Sequence, residues 1–187
     1  MADEMENNID ARDKLAEGAK IIAKKWATQV KDGKLEFSFL PRQIFYSSLE
    51  NGCLASVKAM LQLVALDPDD DEDIETMQAY KEELILHGGL RDMVHVLRDG
   101  GYNNSSSRCI DPRSDIITLI QVLCEGDLRV FQFLKAFRGV TAIKQIAETK
   151  GLYYPLTCTA WNAMAQFTNT GPHAEQANVP KAYSTCP

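Results

Sequence analysis

The chain has 187 residues, of which 45% are hydrophobic and 25% charged, a balance that excludes wholesale disorder and allows a packed core. Its net charge of -6 is uneven, because residues 66–85 hold nine acidic side chains against one lysine. The sequence has no basic stripe or tail, which argues against nucleic acid as a partner.

The N-terminal segment is polar and acidic, and we interpret the first eight residues as disordered. From Ile9 to Val30, apolar residues recur at steps of three and four and predict an amphipathic helix that ends at "KDGK". The next stretch, "LEFSFLP", alternates in the way a short strand does, up to Pro41. We therefore expect one long helix followed by a strand-like segment.

The following residues predict helices in pairs, each pair parted at a glycine. "RQIFYSSLE" and "CLASVKAMLQLVAL" are separated at Asn51-Gly52, where glycine suits the end of a helix. After an exposed acidic loop at 67–72, a second helix runs to Gly88-Gly89 and is followed by the short helix "LRDMVHVLR". A second exposed loop is expected at 100–112, which is rich in Gly, Asn and Ser.

The C-terminal half is predicted to be helical as well. The apolar run "SDIITLIQVLCEGD" fits a buried helix better than a buried strand, and Asp127 is expected to cap the helix after it. Gly139 separates that helix from "VTAIKQIAETKG", and "LTCTAWNAMAQF" gives the last helix. We predict a single all-helical domain over 9–167 and a poorly ordered tail over 168–187.

Three short helices align when they are anchored on Cys53, Gly89 and Gly139, over 53–61, 89–97 and 139–147. The anchors are 36 and 50 residues apart, an average of 43, within the range of about 40–47 residues typical of armadillo and HEAT repeats. Apolar residues recur at the second, fifth and eighth positions: Leu54, Leu90 and Val140; Val57, Met93 and Ile143; Met60, Val96 and Ile146.

At these residues the sequence resembles the armadillo family. "HGGLRDMVHVL" and "FRGVTAIKQIA" look like the glycine turn into that family's third helix, and "TCTAWNAMAQF" (Thr157 to Phe167) is similar to its second helix. The resemblance covers 42–167 and implies an armadillo/HEAT-like right-handed α-solenoid of helical-hairpin repeats. The alternative is an irregular α-helical bundle whose hairpins look alike because glycine corners are common.

Catalytic, cofactor and metal motifs are not found in the sequence. The acidic run from Asp67 follows the calcium-loop spacing, but Glu72 stands where glycine is needed and Gln78 where a bidentate glutamate is needed. The five cysteines form no C-x-x-C pair, and we expect free, mostly buried thiols. We therefore expect no cofactor, no metal site and no enzymatic activity.

If the repeats stack, the short helices line one concave face that binds a partner peptide or helix. The outward third and seventh positions there are Ala55, Arg91 and Thr141, and Ala59, His95 and Gln145. The resulting candidate partner-binding residues form a mildly basic surface: Arg91, His95, Lys144, Gln145 and Lys58.

The predicted function is a non-catalytic interaction module or adaptor in the cytoplasm, with the nucleus as the alternative compartment. The sequence has no secretory signal and no apolar run long enough for membrane insertion. The alternative function is a small all-helical viral or structural assembly protein that binds itself or RNA. A homo-oligomer is compatible with either reading.

Overall fold

The computed structural model describes residues 2–49, 51–65, 71–99, 111–125, 127–149, 151–152 and 154–169. These residues form helices without any strand, so the all-α prediction is confirmed. The helices are α1 (Ala2–Lys31), α2 (Phe39–Tyr46), α3 (Gly52–Val64), α4 (Asp71–Leu86), α5 (Gly89–Arg98), α6 (Arg113–Cys124), α7 (Leu128–Ala136), α8 (Gly139–Glu148) and α9 (Tyr154–Asn169).

The chain divides into two compact units, where the sequence predicted one domain. Of the described residues, unit 1 contains those up to Asp92 together with 111–112, and unit 2 contains 93–99 and those from Arg113 onward. The boundary falls inside α5, between Asp92 and Met93. A single helix therefore contributes residues to both units.

Glycine corners begin α3, α5 and α8, as the sequence predicted. At Gly89 an added Cβ would lie 2.6 Å from the Leu84 side chain, five residues earlier, and at Gly139 it would collide with Leu134, also five residues earlier. The residue before each of these two glycines has a left-handed backbone, with φ of 77° at Gly88 and 63° at Arg138. Both corners therefore consist of a residue with a left-handed backbone followed by a closely packed glycine. The left-handed residue is glycine in the first corner and arginine in the second.

Replacing Arg138 by Gly should raise the free energy of unfolding by about 0.5–1 kcal/mol. A left-handed backbone destabilises a residue with a Cβ by roughly 1–2 kcal/mol, and the larger unfolded-state entropy of glycine offsets part of that relief. Urea denaturation followed by circular dichroism measures the change. The reverse comparison, Gly88→Ala, should lower stability, and a loss of stability in Arg138→Gly would contradict the argument.

In unit 1, α1 lies against α3. Ala19 and Ala55 belong to one buried cluster with Leu54, and Ile22 and Trp26 pack on it from α1. Small side chains repeat every four residues along the buried stripe of α1, which lets the two helices approach closely: Ala19, Ala23 and Ala27. The amide of Asn51 also donates to the carbonyl of Leu15 across 3.3 Å. The N-terminal helix therefore covers one side of the first repeat-like helix.

The strand suggested at "LEFSFLP" is not present. Residues 37–38 form a turn, α2 begins at Phe39, and the amides of Phe39 and Leu40 donate to carbonyls three residues earlier, at 3.1 and 2.9 Å. Aromatic contacts decide this geometry, because Phe37 stacks on Tyr80 with ring centroids 4.6 Å apart and Phe39 meets Trp26 edge-on. Packing of both rings in unit 1 overrides the short alternation.

The ends of the predicted domain differ in part from the structure. Helix α1 begins at Ala2, within the 1–8 segment predicted to be disordered, because its Ala, Glu and Met residues favour helix. Most of the two predicted loops and residues 170–187 of the predicted tail lie outside the described residues. Residues 71–72 belong to α4 and 168–169 to α9, so both helices extend into those predicted segments.

Candidate functional site

The candidate partner-binding residues lie at the protein surface. Arg91, His95 and Gln145 are exposed, while Lys144 and Lys58 are half-buried. Each lies on a helix that begins at a glycine corner. The apolar positions of that helix face the core, and the candidate positions therefore lie on its outer side. Within unit 2 the helices that carry His95 and Lys144 are adjacent, since a Cβ at Gly139 would lie 2.8 Å from Cγ2 of Val94.

The five residues do not all belong to one compact unit. Arg91 and Lys58 lie in unit 1, whereas His95, Lys144 and Gln145 lie in unit 2. Three of the candidates therefore belong to one compact unit, where His95 is on α5 and Lys144 and Gln145 are on α8.

The outward positions predicted on α3 are not exposed. Ala55 and Ala59 are fully buried, whereas Thr141, at the matching position of α8, is exposed. Ala55 is covered by α1, which the repeat alignment does not contain. On α3 the predicted binding face is therefore partly occupied by the chain itself.

The basic character of the candidate surface is reduced by carboxylates on the same helices. Nδ1 of His95 lies 2.6 Å from Oδ2 of Asp99, and Nζ of Lys144 lies 3.9 Å from Oε1 of Glu148. Nε of Arg91 lies 3.4 Å from Oδ1 of Asp92. Exposed contacts of this kind contribute little to stability, but the carboxylates offset the positive charges of Arg91 and Lys144. The polar side chains of this surface therefore contact carboxylates of their own helices, and the net positive charge of the surface is small.

A polar seam between α6 and α9 was not predicted from the sequence. The hydroxyls of Ser114 and Thr159 are 3.0 Å apart, and Nε2 of Gln121 donates to Oε1 of Gln166 across 2.8 Å. In both pairs the partners are 45 residues apart in sequence. In the sequence, a hydroxyl residue and a glutamine seven residues later occur twice, 45 residues apart. This recurrence was the signal that could have revealed the seam.

Helix α7 and the corner after it carry four exposed side chains, here named the α7 patch: Phe133, Lys135, Phe137 and Arg138. The side chain of Phe133 is 45% exposed and that of Phe137 is 36% exposed. Their rings stack on each other with centroids 6.4 Å apart and an interplanar angle of 15°. Lys135 and Arg138 are exposed next to them in sequence.

The start of α7 is capped as the sequence predicted. Oδ1 of Asp127 accepts a hydrogen bond from the backbone amide of Arg129 at 2.8 Å, and its Oδ2 lies 2.9 Å from Nη2 of the same residue. The side-chain bond with Arg129 is the main reason that the pKa of Asp127 is lowered. The carboxylate is therefore ionised at neutral pH and holds Arg129 at the edge of the α7 patch.

Two described thiols are unsuited to nucleophilic chemistry. Cys53 and Cys124 are free and buried, and burial, with a smaller effect of a nearby aspartate, raises the pKa of each to about 12. The thiolate form that attacks substrates is therefore almost absent at neutral pH. The expectation of free thiols is confirmed for these two cysteines.

Cys158 differs from the expectation, because it is disulfide-bonded. Sequence spacing alone could not reveal which cysteines the fold brings together. Disulfides are more typical of oxidising compartments than of the cytoplasm, where the sequence places the protein. The compartment stays a prediction.

Among the residues that the structure describes, no group of three or more His, Cys, Asp or Glu side chains is arranged to hold a metal ion. In the same part of the chain, no helix has the length and apolar character needed to cross a bilayer. No family model, no curated protein and no solved structure was found to match the sequence or the fold.

Proposed function

We propose that the chain is a non-catalytic protein-protein interaction module, built of armadillo-like stacked helical hairpins that bind a partner peptide or helix on one face. The observation that carries the proposal is a constant sequence offset between neighbouring helices of unit 2. Val94 meets Gly139, Ser114 meets Thr159, and Gln121 meets Gln166, each across 45 residues.

A constant offset between helices three elements apart supports stacked repeats over an up-and-down bundle. In an up-and-down bundle, successive helices run antiparallel. The sequence separation between contacting residues then changes steadily along the pair of helices and does not stay constant. Helices α6 and α9 instead run parallel, because both contacts between them keep the same offset in the same direction. An offset of 45 residues also lies within the period of about 40–47 residues of armadillo and HEAT units.

Solenoids of this kind present rows of equivalent helices to a partner, which supports binding as the function. In unit 2 the exposed positions of α5 and α8 combine an imidazole, an amine and an amide with carboxylates one turn away: His95, Asp99, Lys144, Gln145 and Glu148. Such groups can exchange their local partners for carboxylates or backbone groups of a bound peptide. We therefore propose an acidic or polar peptide as the ligand of this face.

Charge reversal tests the proposal. The variant Lys144→Glu should capture the partner of the native chain about tenfold less well, because opposing charges at an interface steer and hold the complex. The measurement is affinity capture with the full chain as bait, followed by quantification of each captured protein. Lys24→Glu is the matched control, because this lysine is exposed on α1 and the net charge changes equally.

A partner that is lost with the first variant and kept with the control supports the proposed face. Equal capture by all three proteins would contradict it, and so would equal loss in both variants, since that result reports only the net charge. Circular dichroism of each variant confirms that the helices are intact. The repeat architecture is tested separately, through the contact between Val94 and Gly139.

A further inference from the structure

The α7 patch has the composition of a protein-binding surface. Phe133 and Phe137 stay substantially exposed although their rings stack, so contact with each other leaves a large part of both side chains in water. Aromatic side chains and arginine are the residues most enriched where binding energy concentrates. The α7 patch offers two phenylalanines followed directly by Arg138.

The sequence segment that contains the α7 patch is basic although the chain is acidic. Residues 128–147 contain four cationic side chains and no carboxylate, while the whole chain has a net charge of -6. The outer two cations are paired at the borders of the segment, Arg129 with Asp127 and Lys144 with Glu148. Lys135 and Arg138 lie between them in sequence, and both are exposed.

We propose that the α7 patch binds the acidic segment of a second copy of this chain. That segment, 66–78, contains seven carboxylates and no cation, so its charge is complementary to the basic surroundings of α7. It also provides an apolar anchor, because Ile74 in the first turns of α4 is 45% exposed. Ile74 among carboxylates therefore complements Phe133 and Phe137 among cations, because apolar side chains meet apolar side chains and the charges are opposite.

The two surfaces differ, so this contact is of the heterologous type, in which one patch of a protein meets a different patch of the next copy. Ion pairing steers the two copies together, and burial of Ile74 against the rings of Phe133 and Phe137 provides the apolar contact. The inference goes beyond the proposed function, because it uses neither His95, Lys144 nor Gln145. Self-association and peptide capture can therefore succeed or fail independently.

Sedimentation equilibrium of the full chain tests the inference. The weight-average mass should rise with protein concentration at about 0.05 M NaCl and fall toward the monomer at about 0.5 M NaCl, because salt screens the charges. Two variants should weaken the association at least about tenfold: Phe133→Ser with Phe137→Ser, and Lys135→Glu with Arg138→Gly. Both variants change exposed side chains and should stay folded, which circular dichroism verifies.

Matched controls lie on the exposed face of α1. Ile21→Ser removes an apolar side chain that is 65% exposed, and Lys24→Glu with Lys25→Gln changes the net charge as much as Lys135→Glu with Arg138→Gly. These variants should associate like the native chain. A synthetic peptide of residues 66–78 should dissociate the assembly, whereas the same peptide with every carboxylate replaced by its amide should not.

A chain that stays monomeric at low salt and high concentration overturns the inference. Association that both α7 variants leave unchanged also overturns it, because another surface would then be responsible. Displacement of the labelled 66–78 peptide by a single-stranded oligonucleotide, without any self-association, would assign the α7 patch to nucleic acid instead. None of these results alters the capture experiment with Lys144→Glu.

Discussion

Replacing Phe131 by Ala should lower the free energy of unfolding by about 3–5 kcal/mol, the range observed when a buried phenylalanine is truncated. Phe131 is fully buried on α7, and its ring lies 5.4 Å from that of Phe167 on α9. Truncation leaves a cavity that neighbouring helices cannot fill without moving. Because whole domains are stable by only about 5–15 kcal/mol, urea denaturation should show a large shift of the midpoint.

Phe133→Ala is the matched control for this prediction. It removes the same side chain from the same helix, two residues away, but Phe133 is 45% exposed. Surface substitutions usually change stability by less than about 0.5 kcal/mol, so we expect a small effect, with somewhat more lost because the ring stacks on Phe137. Equal losses from both substitutions would contradict the assignment of Phe131 to the core of unit 2.

Local rules predicted the helical hairpins well. The glycines mark helix boundaries in the sequence, and α3, α5 and α8 do begin at Gly52, Gly89 and Gly139. At the last two corners the left-handed backbone belongs to the preceding residue, Gly88 or Arg138. The apolar positions shared by these helices are buried, except Val140, which is half-buried. The capping of α7 by Asp127 follows from side-chain chemistry alone and is confirmed.

Long-range packing was not accessible from the sequence in the same way. Nothing in the pattern of α3 reveals that α1 covers Ala55, because an alanine suits both an exposed helix face and a close helix contact. The same holds for residues 35–41, where two rings select a turn over a strand. In both places the deciding partner lies many residues away along the chain.

The exposure of the candidate side chains follows from the helical period more directly than their charge environment does. Arg91, His95 and Gln145 are exposed as expected, because the helical period places them outside. Their electrostatics depend on side-chain rotamers, which bring Asp99 to His95 and Asp92 to Arg91. Counting cations along a helix missed these carboxylates, and the mildly basic surface is therefore largely neutralised where it was expected.

Replacing Gly139 by Ala should lower the free energy of unfolding by about 1–3 kcal/mol, as overpacking of a tight contact does. The new methyl group would lie 2.8 Å from Cγ2 of Val94 and 2.9 Å from Cγ of Leu134, closer than real side chains approach. To relieve this, either α8 or the side chains of Val94 and Leu134 must shift. Gly18→Ala is the control, because its Cβ meets nothing, and it should stabilise α1 by about 0.5–1 kcal/mol.

A double-mutant cycle shows whether the contact between α5 and α8 is responsible. Val94→Ala alone should destabilise the chain by removing buried atoms, but combined with Gly139→Ala it makes room for the new methyl group. The two changes should therefore couple favourably by about 0.5–2 kcal/mol. Additive effects would mean that Val94 and Gly139 do not touch, which would remove one of the three contacts at a 45-residue offset on which the proposed stacking rests.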